Sequence, residues 1–194
     1  MNHVDSTEVP DFDDLYRSDP DPWEVGSSWY ERRKLALLMA SLPYECYPRA
    51  WEPGCGIGVS TAALAERVTV SMSASDASPV AVDLARQRCA DLSHVTVRQS
   101  RLPEVPLDAP VDLVVVAEFL YYVPDLQSAL DALWSATKSG AHLVFMHWAH
   151  QPEDAYRSGP EMHAAVAADA SHRRAVRLVT HAETDFQLDI YEAT

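Results

Sequence analysis

A glycine turn and a later acidic residue are the features of this sequence that could do the most specific chemistry. The turn, at residues 52–58 (EPGCGIG), lies between a predicted strand and a predicted helix. Glycines there can adopt positive φ angles, so a ligand can lie directly against the backbone. Asp76 ends the next predicted strand, where a carboxylate can accept hydrogen bonds from both hydroxyls of a ribose. Together these features predict a pocket for a ribose-containing ligand.

The spacing of the glycines narrows the class of ligand. A dinucleotide fingerprint has the form G-x-G-x-x-G and places a pyrophosphate at the start of the following helix. Here Gly54, Gly56 and Gly58 follow G-x-G-x-G, and Glu52 precedes them. A carboxylate at that position suits a ligand with a cationic amino group and opposes a pyrophosphate. A nicotinamide oxidoreductase is therefore the weaker interpretation.

Strand and helix patterns alternate around this turn. Strands are predicted at 50–52, 68–76, 95–97, 111–117 and 142–148. Helices are predicted from Ser28 to Pro43, from the glycine turn to Glu66, from Ser78 to Asp91, and from Leu126 to an end at Gly140. Parallel strands need crossover connections, so this alternation predicts a parallel sheet wrapped by helices. The first helix should begin with a capping box formed by Ser28 and Glu31.

The end of the chain has a different pattern. A short helix opens at Pro160, and residues 175–180 and 185–191 predict an antiparallel hairpin at a sheet edge. In the last strand we expect Phe186, Leu188 and Ile190 to be buried and Gln187, Asp189 and Tyr191 to face water.

Composition excludes several classes of function. The chain has 194 residues and a net charge of −14, with 47% apolar residues, which fits one folded domain. Such a negative field repels nucleic acid. The sequence contains no run of about 18 apolar residues, so it predicts no membrane-spanning helix. The three cysteines have neither disulfide nor zinc-site spacing. The polar start lacks the pattern of a signal peptide, so we expect a cytoplasmic protein.

The first residues differ from the rest of the chain. Residues 1–27 contain Asp-Pro-Asp-Pro at 19–22 and few periodic apolar residues. We predict an acidic arm that becomes ordered only near Trp23, followed by a single domain at 28–194.

The motifs taken in order resemble a known family. The glycine turn, Asp76 and the apolar strand 111–117 with Glu118 behind it resemble the motifs of class I S-adenosylmethionine-dependent methyltransferases, over roughly residues 49–148. Four stretches resemble the nodulation protein S-like branch, which is typified by an N-methyltransferase acting on the free amine of deacetylated chitooligosaccharides. These are 21–23 (DPW), 28–34 (SWYERRK), 118–122 (EFLYY) and 147–148 (HW).

The resemblance implies a fold and a role for each motif residue. The fold is a Rossmann-like α/β fold, with a mostly parallel seven-stranded sheet, helices on both faces, a C-terminal antiparallel hairpin and an N-terminal helix as lid. Gly54 and Gly56 are implied to lie near the methionine part of the cofactor, with Glu52 holding nearby groups in place. Asp76 is implied to bind the ribose hydroxyls, and Arg33 to bind the cofactor carboxylate. The other implied contacts are Ala77 and Leu102 on the adenine, Trp23 and Tyr30 in the lid, Glu118 at the methionine and acceptor entrance, and Gly58, Arg101 and Phe119 in the cofactor pocket.

Arg101 departs from the family pattern, which usually has Asp at this position. That Asp accepts a hydrogen bond from the adenine amino group, whereas a guanidinium only donates. Either backbone groups around Arg101 and Leu102 suffice, or the affinity for the cofactor is reduced.

Methyl transfer from a sulfonium is an in-line displacement that needs no metal, and orienting the reactants supplies much of the rate. An amine acceptor must also arrive deprotonated, so a nearby acid or imidazole helps. We predict Glu118, His147 and Tyr122 as catalytic; Tyr121 and His150 are further candidates near strand ends. The alternatives are a structural role for His147 and packing roles for the tyrosines.

The resulting hypothesis is a methyltransferase for a small acceptor, most simply an amine such as an aminosugar or a glucosamine oligosaccharide. One alternative is an O-methyltransferase for a hydroxylated metabolite or glycan, with His147 as base. The other is a catalytically weak, cofactor-binding subunit of a partner enzyme. We expect a monomer or weak homodimer.

Overall fold

The computed structural model describes residues 9–194. Its strands are Tyr47–Pro53 (β1), Val68–Asp76 (β2), Val95–Gln99 (β3), Val111–Ala117 (β4), Thr137–Trp148 (β5), Val176–Ala182 (β6) and Phe186–Glu192 (β7). Its helices are Phe12–Ser18 (α1), Trp29–Ser41 (α2), Val59–Ala65 (α3), Pro79–Arg88 (α4), Leu126–Ser135 (α5) and Gly159–His172 (α6). A 3₁₀ turn at Leu120–Tyr122 follows β4.

The strands form one seven-stranded sheet in the order β3-β2-β1-β4-β5-β7-β6. The first five are parallel, and β7 runs antiparallel between β5 and β6. The predicted architecture is confirmed. The order of the strands reverses between β1 and β4, which opens a crevice at their carboxyl ends where ligands bind in open α/β sheets.

The core lies on both faces of the sheet. Residues 113–116 of β4 are fully buried, because α5 and α6 cover one face and α2 and α3 the other. Burying each such side chain contributes about 1.5–3 kcal/mol to folding. No helix within residues 9–194 is long and apolar enough to cross a membrane.

The prediction that one face of β7 is exposed to water is wrong. Asp189 and Tyr191 are only 1% and 3% exposed, because β7 is an interior strand and α6 packs against it. The Asp189 carboxylate lies 2.7 Å from Nδ1 of His163 on α6 and also accepts hydrogen bonds from Thr180 and Gln187. A buried carboxylate is tolerated here because polar partners surround it.

Gly140 is not the stop of a helix. Helix α5 ends at Ser135, and β5 already begins at Thr137, so Gly140 lies inside the strand. Its φ of +79° is a conformation that favours glycine, and it bends the strand where the pairing between β4 and β5 is irregular.

The expectation that order begins only near Trp23 is also wrong. Helix α1 precedes it, with Asp11 as N-cap accepting from the backbone N–H groups of Asp13 and Asp14. Tyr16 is buried and Phe12 packs beside it, against residues of α4 and the glycine turn. The first eight residues of the predicted arm lie outside the described part of the chain.

Helix α2 begins as predicted, but its capping box is half formed. The Ser28 hydroxyl accepts a hydrogen bond from the N–H of Glu31. The Ser28 N–H instead donates to the carbonyl of Glu24, and the Glu31 carboxylate turns to Lys34. This leaves Glu31 on the inner side of the helix.

Candidate active site

One large cleft, of about 1270 Å³, opens at the carboxyl ends of the parallel strands. The glycine turn after β1, the end of β2 and the end of β4 form its floor. Helices α1 and α2 and the loop after β5 form its walls. The cleft therefore lies where the reversal of strand order predicts a ligand.

The glycine turn is shaped by positive φ angles. Gly54 and Gly56 have φ values of +66° and +51°, which side chains other than glycine rarely adopt. A Cβ at Gly54 would also lie 2.4 Å from the ring of Phe119, which packs directly on the turn. All three residues line the cleft, as the sequence predicts.

Asp76 is fixed by the backbone of the turn it faces. One carboxylate oxygen accepts the N–H of Gly56 at 2.9 Å, and the other accepts the N–H of Ser78 at 2.9 Å. Burial raises the pKa of Asp76, and the backbone N–H groups oppose that rise. Because each oxygen accepts only one hydrogen bond, both keep a lone pair for a ligand.

The residues that are predicted to contact adenine lie beside this acid. Ala77, Arg101 and Leu102 all line the cleft, with Ser100 next to them. Arg101 is exposed and Leu102 is half-buried. The structure therefore brings the three residues together around one pocket, and their contacts with adenine stay a prediction.

Glu52 and Gly58 belong to the turn but do not line the cleft. The Glu52 carboxylate is 1% exposed and accepts hydrogen bonds from Ser60 and Thr61 on α3. Burial raises the pKa of Glu52 to about 7. A Cβ at Gly58 would lie 3.0 Å from Ala85, so this glycine permits close packing with α4. The structure does not place Glu52 and Gly58 at the surface of the cleft, because both side-chain positions face the protein interior, and their ligand contacts stay a prediction.

Arg33, which is predicted to bind the cofactor carboxylate, also lies outside the cleft. Its guanidinium forms two 2.7 Å hydrogen bonds with Glu183, between β6 and β7, and it does not line the cleft. The next residue, Lys34, is 3% exposed and does line it. Successive residues of an α-helix point about 100° apart, so one position decides which cation faces the site.

Lys34 and Glu118 form a charged pair at the centre of the cleft. The ammonium lies 2.6 Å from the Glu118 carboxylate and 2.7 Å from that of Glu31. Burial alone would lower the pKa of Lys34, but the two carboxylates raise it overall, so the ammonium stays charged. Glu118 has a φ of +60°, a costly conformation for this residue type that is typical of functional sites.

Glu118 is also held on its other side. Its second oxygen accepts hydrogen bonds from the Tyr121 hydroxyl at 2.7 Å and from the N–H of Trp148 at 2.9 Å. The carboxylate therefore lies in the cleft as predicted, in a fixed orientation. Because both of its oxygens already accept hydrogen bonds, this carboxylate is better suited to positioning a ligand than to proton transfer.

The structure does not support His147 as a catalytic residue. Its side chain is fully buried, neither ring nitrogen has a hydrogen-bond partner within residues 9–194, and it does not line the cleft. Burial lowers the pKa of His147 well below its usual value. The imidazole packs between Tyr121 and His163, behind the wall of the cleft. His150 likewise lies outside the cleft, 3.1 Å from Asp185.

Tyr122 does line the cleft. Burial raises the pKa of its hydroxyl to about 12, with a further contribution from the charge of Asp154. The neutral phenol is therefore a hydrogen-bond donor and an aromatic wall at neutral pH, and it is a poor base.

Aromatic residues of the lid cover the glycine turn. Trp23 packs on Phe12 and Tyr16, with ring centroids 6.2 and 5.6 Å apart. Tyr30 donates to the carbonyl of Asp185 at 3.1 Å, and Lys34 lies 4.9 Å from its ring centroid. All of these except Asp185 line the cleft. Sequence reasoning missed Phe12 and Tyr16, although their four-residue spacing after a capping Asp11 is typical of a short helix.

The family model for Nodulation protein S (NodS) matches residues 11–154. The chain belongs to this family. It is 34% identical over 132 residues to Nodulation protein S of Rhizobium tropici and 30% identical over 154 residues to that of Sinorhizobium fredii. These alignments cover 64% and 75% of the chain, and 54% and 69% of the two relatives. The chain thus spans about half the length of the first relative.

Solved structures share the fold. A Pseudomonas syringae protein described as a candidate methyltransferase is 39% identical, with a TM-score of 0.74 over 85% of this chain and 99% of that one. The N-methyltransferase NodS of Bradyrhizobium japonicum with S-adenosyl-L-homocysteine is 24% identical, with a TM-score of 0.76 over 93% and 96% of the two chains. The predicted class I methyltransferase fold is confirmed.

Proposed function

We propose that this chain is an S-adenosylmethionine-dependent methyltransferase whose acceptor is a small amine. The observation that carries the proposal is that two complementary binding features share one cleft. Asp76 with the glycine turn lies at the ends of β1 and β2, and the Lys34–Glu118 pair lies next to them at the end of β4. Membership of the NodS family supports the same assignment.

The residues present fit the cofactor. Asp76 keeps one lone pair on each oxygen, which two ribose hydroxyls would use. Lys34 and Glu118 offer one cation and one anion, which match the carboxylate and ammonium of an amino-acid group. Arg101 only donates hydrogen bonds, so it suits the ring nitrogens of adenine and not its amino group.

S-adenosylmethionine supplies a methyl group on a positively charged sulfur. The protein's task is to align the acceptor with that methyl group, and alignment alone can contribute about 7–11 kcal/mol. Glu118, fixed by Tyr121 and the N–H of Trp148, orients the groups around it. Tyr122 and Trp148 line the wall beside it, where their aromatic rings flank the acceptor.

The charge of the cleft favours an amine over a hydroxyl acceptor. Within residues 9–194, nine carboxylate residues line it, and the cations that line it are Lys34 and Arg101. A cleft of one charge sign concentrates ligands of the opposite sign. An O-methyltransferase would need a base to activate a hydroxyl, and the buried His147 is not available for this.

Release of S-adenosylhomocysteine, measured across aminosugars, simple amines and phenols, tests the proposal. We expect turnover with glucosamine or a simple amine and none with glucose, which differs from glucosamine in lacking the amine. Faster turnover of phenols would favour the O-methyltransferase. Cofactor binding without turnover of any acceptor would favour the partner-subunit alternative.

Three further predictions remain untested. They are the division into an arm at 1–27 and a domain at 28–194, the cytoplasmic location and the monomeric or weakly dimeric state.

A further inference from the structure

The carboxylates that line the cleft fall into two groups, those with a partner elsewhere in the protein and those without one among residues 9–194. Seven of the nine accept a hydrogen bond or an ion pair from other residues within 9–194. They cap α1, close turns or bind Lys34. The two others are Glu153 and Asp154, in the loop after β5. Glu153 is exposed, whereas Asp154 is half-buried.

The loop that carries Asp154 is held in one shape. The N–H of Tyr156 donates to the carbonyl of Tyr121 at 2.9 Å, and the Arg157 guanidinium donates to the carbonyls of Val123 and Pro124. The N–H of Gly159 closes the loop on the carbonyl of His150 at 3.1 Å.

Gly159 fits only because it lacks a side chain. A Cβ at this position would lie 1.8 Å from the carbonyl oxygen of Trp148. The loop is therefore tied both to the end of β5 and to the 3₁₀ turn that carries Tyr122, and Asp154 is presented to the cleft in a fixed position.

The surroundings of Asp154 suit a cation. Asp154, Tyr122 and Trp148 all line the cleft. The hydrogen bond from the N–H of Tyr156 to the carbonyl of Tyr121 brings the loop of Asp154 beside the turn that carries Tyr122. A carboxylate beside aromatic rings binds an ammonium through hydrogen bonds and cation–π attraction. This wall lies at β4 and β5, on the far side of Glu118 from Asp76, where an acceptor would approach a methyl group held over β1.

We propose that Asp154, with Tyr122, forms the acceptor subsite of the cleft and binds the cationic ammonium of the acceptor. This rests on the proposed function, because an acceptor subsite presupposes methyl transfer. Asp154 then acts as a specificity residue that selects amines over their neutral hydroxyl analogues. The acceptor leaves this carboxylate when its amine loses a proton to water and turns to the methyl group.

Calorimetry of glucosamine with the full chain saturated in S-adenosylhomocysteine tests this assignment, with glucose as the neutral matched ligand. We expect Asp154→Asn to weaken glucosamine binding at least tenfold, because a hydrogen bond to a charged group is lost. Asp154→Glu should restore much of the affinity. The matched control, Asp91→Asn, makes the same change at an exposed acid that does not line the cleft and should change the affinity less than twofold.

Kinetics provide the second measurement. Asp154→Asn should raise the KM for the amine at least tenfold and leave kcat within threefold, with the affinity for S-adenosylhomocysteine unchanged. The inference is overturned if Asp154→Asn and Asp91→Asn have equal effects, if neither changes amine binding, or if the wild type in complex with S-adenosylhomocysteine binds no glucosamine. Failure of the wild type to bind S-adenosylhomocysteine at all would instead overturn the proposed function.

Discussion

The two sides of the cleft are built in different ways. On the ribose side, Gly54, Gly56 and Asp76 come from one short stretch, and backbone N–H groups fix the acid. The other side, which we call the acceptor side, would hold both the amino-acid group of the cofactor and the acceptor. On it, Lys34 and Glu118 are 84 positions apart in sequence, and Asp154 comes from a third element. The first side is held by backbone geometry, and the second is held by pairs of side chains.

This difference predicts how each side responds to substitution. Removing a group from the ribose side should abolish a contact outright, since the backbone of the turn does not rearrange to replace it. Removing Lys34 or Glu118 from the acceptor side changes the pairing of the groups around it, because each of these two residues has at least two hydrogen-bond partners. The effects should therefore be larger on the ribose side.

The largest effect is expected for Asp76→Ala. The variant would lose two hydrogen bonds to a charged acceptor, each worth about 1.5–3 kcal/mol. We expect the Kd for S-adenosylhomocysteine to rise at least a hundredfold by calorimetry. Asp83→Ala, which removes an exposed acid of α4 paired with Arg86, is the control and should bind normally. A loss below tenfold would mean that the turn, and not its acid, holds the ligand.

A second prediction concerns the support of the ribose side. Burial raises the pKa of Glu52 to about 7, from an ordinary value of 4.5. Between these pH values the folded protein binds a proton that the unfolded chain does not. The free energy of unfolding should therefore fall as pH rises through this window, by about 2 kcal/mol between pH 5 and pH 8.

Glu52→Gln tests this, because it keeps a hydrogen-bonding group near Ser60 and Thr61 and removes the titration. Urea denaturation at pH 5, 6, 7 and 8 should show a smaller decrease in stability for the variant than for the wild type. Parallel pH profiles for the two proteins would contradict a titrating Glu52.

The same contrast explains how much the sequence alone could predict. The sheet topology follows from local patterns, as do the glycine turn and Asp76, because each needs only its own strand, turn and helix. The exclusion of Glu52 from the cleft needs the position of α3, whose Ser60 and Thr61 bind its carboxylate. That information lies in packing, not in spacing.

The acceptor side was harder to predict for a related reason. Choosing between Arg33 and Lys34 requires the rotation of α2 about its own axis, which is set by contacts with β4 and the β6–β7 turn. The burial of His147 likewise depends on α6, which brings His163 against it. Neither contact leaves a signal near these residues in the sequence.

The third prediction tests that rotation directly. Lys34→Met should weaken S-adenosylhomocysteine binding about tenfold, because the ligand's carboxylate loses its cation and Glu118 is left without its partner. Arg33→Met removes the same charge one position away and should change the Kd less than twofold. If calorimetry gives the reverse order, helix α2 turns its other cation to the cleft when the ligand binds.

The smallest effect is expected for His147→Leu. The imidazole is fully buried, its pKa is lowered by burial, and neither nitrogen has a partner within the described residues. Leucine has a similar volume and removes an unsatisfied polar group, which costs about 1–3 kcal/mol when buried. The melting temperature should therefore stay level or rise, and kcat on the best acceptor should stay within threefold. A tenfold loss of kcat with unchanged S-adenosylhomocysteine binding would mean that the imidazole reaches the reacting atoms when ligands are bound. The His147 side chain would then have to leave its place between Tyr121 and His163 during turnover.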